Sequence, residues 1–153
     1  AAEAAEADDV ATRKRLSEGG GEDGWHRFAN SEQYMMWGKA IVFSDWEMAE
    51  RILSSGDPGT VKKLGRGVRG FDAEVWDLYA RRVVEEGCLR KFAQNPAALS
   101  KLLKSGDKVM AEAAPGDLVW GIGMGMKDAA RRPARTWRGK NWLGQVLMRE
   151  GPP

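Results

Sequence analysis

Between Ser31 and Ala40 the chain reads Ser-Glu-Gln-Tyr-Met-Met-Trp-Gly-Lys-Ala, which sets the carboxylate of Glu32 ahead of the amine of Lys39. In an α-helix, residues three, four and seven positions apart share a face, so Glu32, Met35 or Met36, and Lys39 fall on one stripe. The neighbours Tyr34, Met35, Met36, Trp37, Ile41, Val42 and Phe43 are apolar and leave little room for a solvated side. An apolar wall disfavours a charged amine and lowers its pKa, which is how a nucleophilic lysine is made. A carboxylate on the same stripe can pass protons. The same spacing also suits a buried ion pair that only holds the helix, and the pattern leaves both readings open.

A second group of candidates surrounds the segment Pro115-Gly116-Asp117-Leu118-Val119-Trp120-Gly121-Ile122-Gly123-Met124-Gly125. Alternating glycines make a poor helix and let a ligand approach the backbone closely. Asp117 stands just before the Gly-rich turn, and Trp120 beside Gly121 and Gly123 could stack a base while amides face phosphate oxygens. Arg66, between Gly65 and Gly67, could reach a phosphate. The run Arg131, Arg132, Arg135, Arg138 and Lys140 is interleaved with Trp137 and Trp142, a composition shared by nucleic-acid strips and by plain solvated loops. His26 is the lone histidine and Cys88 the lone cysteine, so no metal site is assigned. No cofactor is expected, and Cys88 reads as a small buried apolar residue.

Helices must position these groups. Asn30 caps the first, with Gln33 reaching back to it. Ser44 and Glu47 form a capping box for a helix to Leu53 that buries Trp46, Ala49, Ile52 and Leu53. Asp57-Pro58 starts a short helix to Leu64, ended by Gly65-Arg66-Gly67. Asp72 caps the longest helix, with Trp76, Tyr79, Ala80, Val83 and Val84 as its core stripe, running to about Gln94 past Gly87. Asn95-Pro96 opens another, burying Leu99, Leu102 and Leu103 before Gly106. Short strands are expected at Trp25–Phe28 and Val109–Ala113. Residues 126–140 read as a basic loop, and Asn141 caps a last helix through Met148. The expected fold is mainly α, one compact orthogonal helical domain over residues 25–150 with one or two short strands. Residues 1–24, Ala/Glu-rich and ending in a glycine cluster, read as a flexible tail.

With 153 residues the chain can bury a sizeable core. A net charge of +2 argues against a broad electrostatic grip on nucleic acid by the whole surface. Seven Trp and 19 Gly are both high and suit aromatic surfaces beside tight turns. No apolar run is long enough to cross a bilayer, so no membrane partner is expected. One cysteine and an acidic, non-apolar Ala1–Asp9 suggest an intracellular location, cytoplasmic or nuclear, and a monomer.

Three ordered blocks resemble the YbiA-like family, also called NADAR domains. They are Ser31-Glu32-Gln33-Tyr34-Met35 with Lys39-Ala40, Asp117 through Gly123, and Trp137-Arg138-Gly139-Lys140-Asn141-Trp142-Leu143-Gly144. Lys63-Leu64-Gly65-Arg66, Phe71-Asp72 with Trp76, and Lys91-Phe92 sit between them in the expected order. The resemblance covers residues 25 to 149 and implies a helical fold that hydrolyses N-glycosidic bonds. It implies ADP-ribose on guanine, in nucleic acid, as the substrate, with phosphoribosylamino-pyrimidines of riboflavin synthesis or non-catalytic ADP-ribose binding as alternatives. On that likeness Lys39, Glu32 and Asp117 are the catalytic candidates. Trp120, Gly121, Gly123, Arg66, Trp76, Asn141 and Trp137 are the candidates for substrate binding. An N-glycoside can open its sugar to an imine that a neutral Lys39 attacks. A water activated directly by Asp117 or Glu32 is the other route.

Overall fold

The structure, a computed structural model, describes residues 26–149. Among them are seven α-helices and one 3-10 turn. These are α1 (Ser31–Val42), α2 (Trp46–Leu53), α3 (Pro58–Arg66), α4 (Ala73–Gln94), α5 (Pro96–Leu103), α6 (Met126–Ala129), the 3-10 turn Ala134–Thr136, and α7 (Trp142–Arg149). The chain divides into two compact units, one ending at Gly87 and the other beginning at Cys88, so the division falls inside α4.

In the first unit, α1, α2 and α3 pack on one another. The start of α1 follows from Asn30, whose side chain accepts the Gln33 N–H at 2.9 Å. Gln33 itself reaches past the cap: its Oε1 accepts from Ala29 N–H at 2.7 Å. Its Nε2 donates to the carbonyls of Ile52, Leu53 and Ser55 at 3.0, 3.2 and 2.9 Å. Those carbonyls lie at the end of α2 and just past it, so one buried amide closes α2 and fixes it against α1. Trp37, Ile41, Ala49, Ile52, Val61, Val68 and Val83 form the core of this unit. Burial of a side chain such as Ile41 or Ile52 contributes roughly 1.5–3 kcal/mol.

Three local expectations are corrected. The cap of α2 is Asp45, which accepts from Met48 N–H at 3.3 Å, whereas Ser44 sits in the left-handed region at φ 56. Trp46, expected in the core, is 46% exposed. Helix α3 opens as read, with Asp57 accepting from Thr60 N–H at 2.7 Å, but continues through Gly65 to Arg66. Gly65 is there because a Cβ would overlap the Met36 side chain where α1 crosses α3. Gly87 has the same cause. A Cβ on it would lie 2.6 Å from the Tyr34 ring.

The expected strands are not formed. Trp25 lies outside the described residues, as does the proposed tail. His26–Phe28 is irregular, with Phe28 edge-on to Tyr34 and Trp37 at ring distances of 4.9 and 5.2 Å. Val109–Ala113 is irregular because a side chain and a loop, not a neighbouring strand, take its backbone groups. Asn141 Nδ2 donates to the Met110 carbonyl at 2.8 Å, and Glu112 N–H donates to Asn141 Oδ1 at 3.1 Å. The Glu112 carbonyl accepts from Ile122 N–H at 2.9 Å. The regular structure among the described residues is therefore entirely helical.

In the second unit, Leu102 of α5 is buried while Leu103 is exposed. The basic stretch expected as a loop contains α6 and the 3-10 turn. Residues 117–123 and 138–143 run against each other through main-chain bonds. Arg138 and Gly139 N–H both meet the Ile122 carbonyl, at 3.1 and 2.9 Å. Lys140, Trp142 and Leu143 N–H meet the carbonyls of Leu118, Val119 and Trp120 at 2.9, 3.1 and 3.2 Å. Ile122 at the centre of this seam is fully buried.

Candidate active site

In the first unit, α1 carries the two groups that opened the sequence argument. Lys39 is half-buried, and its Nζ donates to the Gly65 carbonyl at 2.8 Å. The same nitrogen lies 3.9 Å from the centroid of the Phe71 ring. One carbonyl and a ring face replace the water shell that an exposed ammonium would have. Burial accordingly holds the Lys39 pKa below its ordinary value. The local reason is sequence-encoded: Gly65 lets α3 approach α1 closely enough for its carbonyl to meet the amine.

Glu32 does not pair with Lys39. Its Oε1 lies 3.3 Å from Lys62 Nζ, with the Glu32 side chain 37% exposed. Seven residues of helix separate the two groups by about 10 Å along the axis. Arg66 follows Gly65 directly and is exposed at the end of α3. Trp76 is half-buried and packs on the core of this unit.

The remaining candidates lie in the second unit. Asp117 Oδ1 accepts from Val119 N–H at 2.9 Å and from Trp120 N–H at 2.8 Å, so the carboxylate builds the turn that carries Trp120. Trp120 is half-buried and meets Trp142 edge to face at 5.5 Å. A Cβ at Gly121 would press on the carbonyls of Asp117 and Glu112, both 3.0 Å away. Gly123 adopts φ 69, where an L side chain is strained, and a Cβ there would lie 2.6 Å from Leu118. Asn141 is buried at φ 53, gives its N–H to the Gly121 carbonyl at 3.0 Å, and engages its amide with Met110 and Glu112. Trp137 is half-buried, and its indole Nε1 meets no hydrogen-bond partner among the described residues. Asp117, Trp120, Gly121, Gly123 and Asn141 are thus brought together in one seam. Glu32 and Lys39 share a helix without touching.

Sequence reading missed the most polarised group among the described residues. Asp45 is buried, and Arg69 holds it with Nη2 at 2.6 Å, Nε at 3.1 Å and its own backbone N–H at 2.8 Å. Hydrogen bonds from the Arg69 side chain are the main reason the Asp45 pKa falls to about 2. Arg69 also reaches Glu47 at 2.9 Å. Nothing in the spacing of Val68-Arg69-Gly70 marks this arginine, and the Ser44–Glu47 capping pattern drew attention away from Asp45. Among the described residues no cluster of His, Cys, Asp or Glu could hold a metal ion.

The chain is 41% identical over 122 residues to an N-glycosidase of Acanthamoeba polyphaga mimivirus, covering 80% of this chain and 72% of that protein. It is 37% identical over 123 residues to the protein irg-1 of Caenorhabditis elegans, covering 79% of this chain and 58% of that protein. It is 28% identical over 121 residues to an N-glycosidase of Nostoc punctiforme, covering 79% and 70%. The NADAR domain family model matches residues 8–150, and with the first identity this establishes that the chain belongs to the NADAR domain family.

Proposed function

We propose that this chain is an N-glycosidase that cleaves the bond between a ribose anomeric carbon and an exocyclic amine, with ADP-ribose on guanine in nucleic acid as the substrate. The family membership and the two relatives named N-glycosidase support the reaction class. The observation that carries the mechanism is Lys39: a half-buried amine, backed by the Phe71 ring and one carbonyl, whose pKa is lowered by burial.

In the proposed route, opening of the ribose breaks the bond from the anomeric carbon to the ring oxygen and leaves an imine to the guanine nitrogen. The ring oxygen takes a proton. The neutral Lys39 amine adds to that carbon, the guanine amine departs with a proton, and a Schiff base to Lys39 remains. Water then adds, Lys39 is released, and the sugar recloses as free ADP-ribose. Glu32, at the other end of the α1 stripe, is the proposed carrier of the protons. Its ion pair with Lys62 at 3.3 Å orients the carboxylate.

The test is incubation with an oligonucleotide bearing ADP-ribosylated guanine, followed by chromatography for ADP-ribose. Borohydride added during turnover is expected to reduce the Schiff base and leave a sugar adduct on the Lys39 peptide. Lys39→Ala is expected to lower turnover by at least 10³-fold without loss of helical signal, on the order of the contribution of a covalent or acid–base group. Full activity in that variant would remove the Schiff-base route.

A further inference from the structure

The segment 126–140 carries six cationic side chains, Lys127, Arg131, Arg132, Arg135, Arg138 and Lys140, against a single carboxylate, Asp128. Since the whole chain is only +2, this stretch of +5 leaves the rest at −3. All six are exposed, and among the described residues no carboxylate pairs with Arg131, Arg132 or Arg135. The backbone beneath them is fixed. Arg131 and Arg132 N–H close turns on Asp128 and Ala129 at 3.1 and 3.3 Å, and Thr136 N–H and Oγ1 both donate to the Pro133 carbonyl, at 2.9 and 2.8 Å. Arg138 Nη2 donates to the Gly123 carbonyl, which ties the segment to the Gly-rich turn.

A purely solvated charge run needs neither a turn-closed backbone nor six cations to one acid. We infer that residues 127–135 form a docking surface for the sugar–phosphate backbone of a single nucleic-acid strand, with Arg131, Arg132 and Arg135 as its phosphate contacts. Arginine suits this task because its planar fork meets two phosphate oxygens at once. Recognition through phosphates positions a strand without reading its sequence. The inference rests on the reading that the substrate nucleotide is part of a strand, and it adds the element that holds the strand.

The probe is an unmodified, fluorescein-labelled single-stranded DNA of about twenty nucleotides, titrated with the full chain at several salt concentrations. Three to four phosphate contacts predict a slope of log affinity against log salt of about −2 to −3, at roughly −0.7 for each contact. The triple variant Arg131→Ala, Arg132→Ala, Arg135→Ala is expected to weaken binding by more than tenfold and to flatten the slope by about 2. Its release of ADP-ribose from the free nucleoside adduct should be unchanged. An unaltered slope in the triple variant, or a wild-type slope near zero, overturns the docking surface. Strand binding as predicted with no hydrolysis of either substrate would instead leave this surface standing and remove the enzymatic reading.

Discussion

At the scale of single residues, two ionisable groups are shifted by opposite means. Lys39 is pushed down by loss of water, and Asp45 is pulled down by the hydrogen bonds of Arg69. The lysine shift is in the direction that the proposed nucleophile requires, whereas the aspartate shift belongs to a fold-stabilising anion. The sign for Asp45 is definite: its folded pKa of about 2 lies below the ordinary 3.8. The stabilisation is therefore complete above pH 4 and is lost as pH falls through about 2. Asp45→Asn is expected to lower stability by about 2 kcal/mol at neutral pH, from the charged hydrogen bonds it weakens at the Arg69 contact and at the α2 cap. Urea denaturation at pH 7 and again at pH 2.5 checks this, the gap between variant and wild type closing at the lower pH. A constant gap would assign the loss to packing rather than charge.

At the scale of elements, what could be read in the sequence was what local chemistry decides. Asn30 and Asp57 fix helix ends by accepting backbone N–H groups three residues on, and Pro58 and Pro96 do so through their fixed φ, so these helices start at the expected places. What could not be read depends on contacts distant in sequence. The Val109–Ala113 stretch has the composition of a strand, but Asn141 takes its backbone groups. Glu32 and Lys39 share a stripe as expected, yet α3 supplies a different partner to each, Lys62 and Gly65. Gly87 looks like a weak point in α4 until the Tyr34 ring is seen against it. The seam between residues 117–123 and 138–143 turns on Gly139, where a Cβ would overlap the main chain of Gly121 and Ile122. Backbone cannot swing aside as a side chain can, so Gly139→Ala is expected to cost roughly 2–3 kcal/mol. Amide hydrogen exchange should show faster exchange at Arg138 to Leu143 in that variant; unchanged protection there would mean the seam adapts.

At the scale of the whole molecule, a near-neutral total conceals an uneven distribution of charge. The sequence total of +2 suggested little grip on nucleic acid, and only the placement of the cations on exposed, turn-fixed backbone gives the basic stretch meaning. If the strand is held there, hydrolysis of a modified oligonucleotide at low substrate concentration should slow as salt rises from 50 to 200 mM, by roughly tenfold or more for three or four phosphate contacts, while a free nucleoside adduct should change much less. Parallel salt series on the two substrates measure the difference; equal slopes would mean that the phosphates outside the target nucleotide contribute nothing. The family and reaction class were legible from ordered residue blocks, because those blocks encode turns and caps that spacing alone preserves. The placement of the surface charges was not, because it depends on which side chains the turns of residues 126–140 leave exposed together.

The seam through Ile122 is written almost wholly in main-chain atoms, with glycines where Cβ atoms would collide. Outward residues along it, such as Leu118, Val119 and Lys140, contribute carbonyls and amides that any amino acid other than proline at the donor position would offer. Such an edge can be rewritten by mutation without disturbing what lies behind it. Substitutions at Leu118, Val119 or Lys140 are therefore expected to leave the main-chain seam intact.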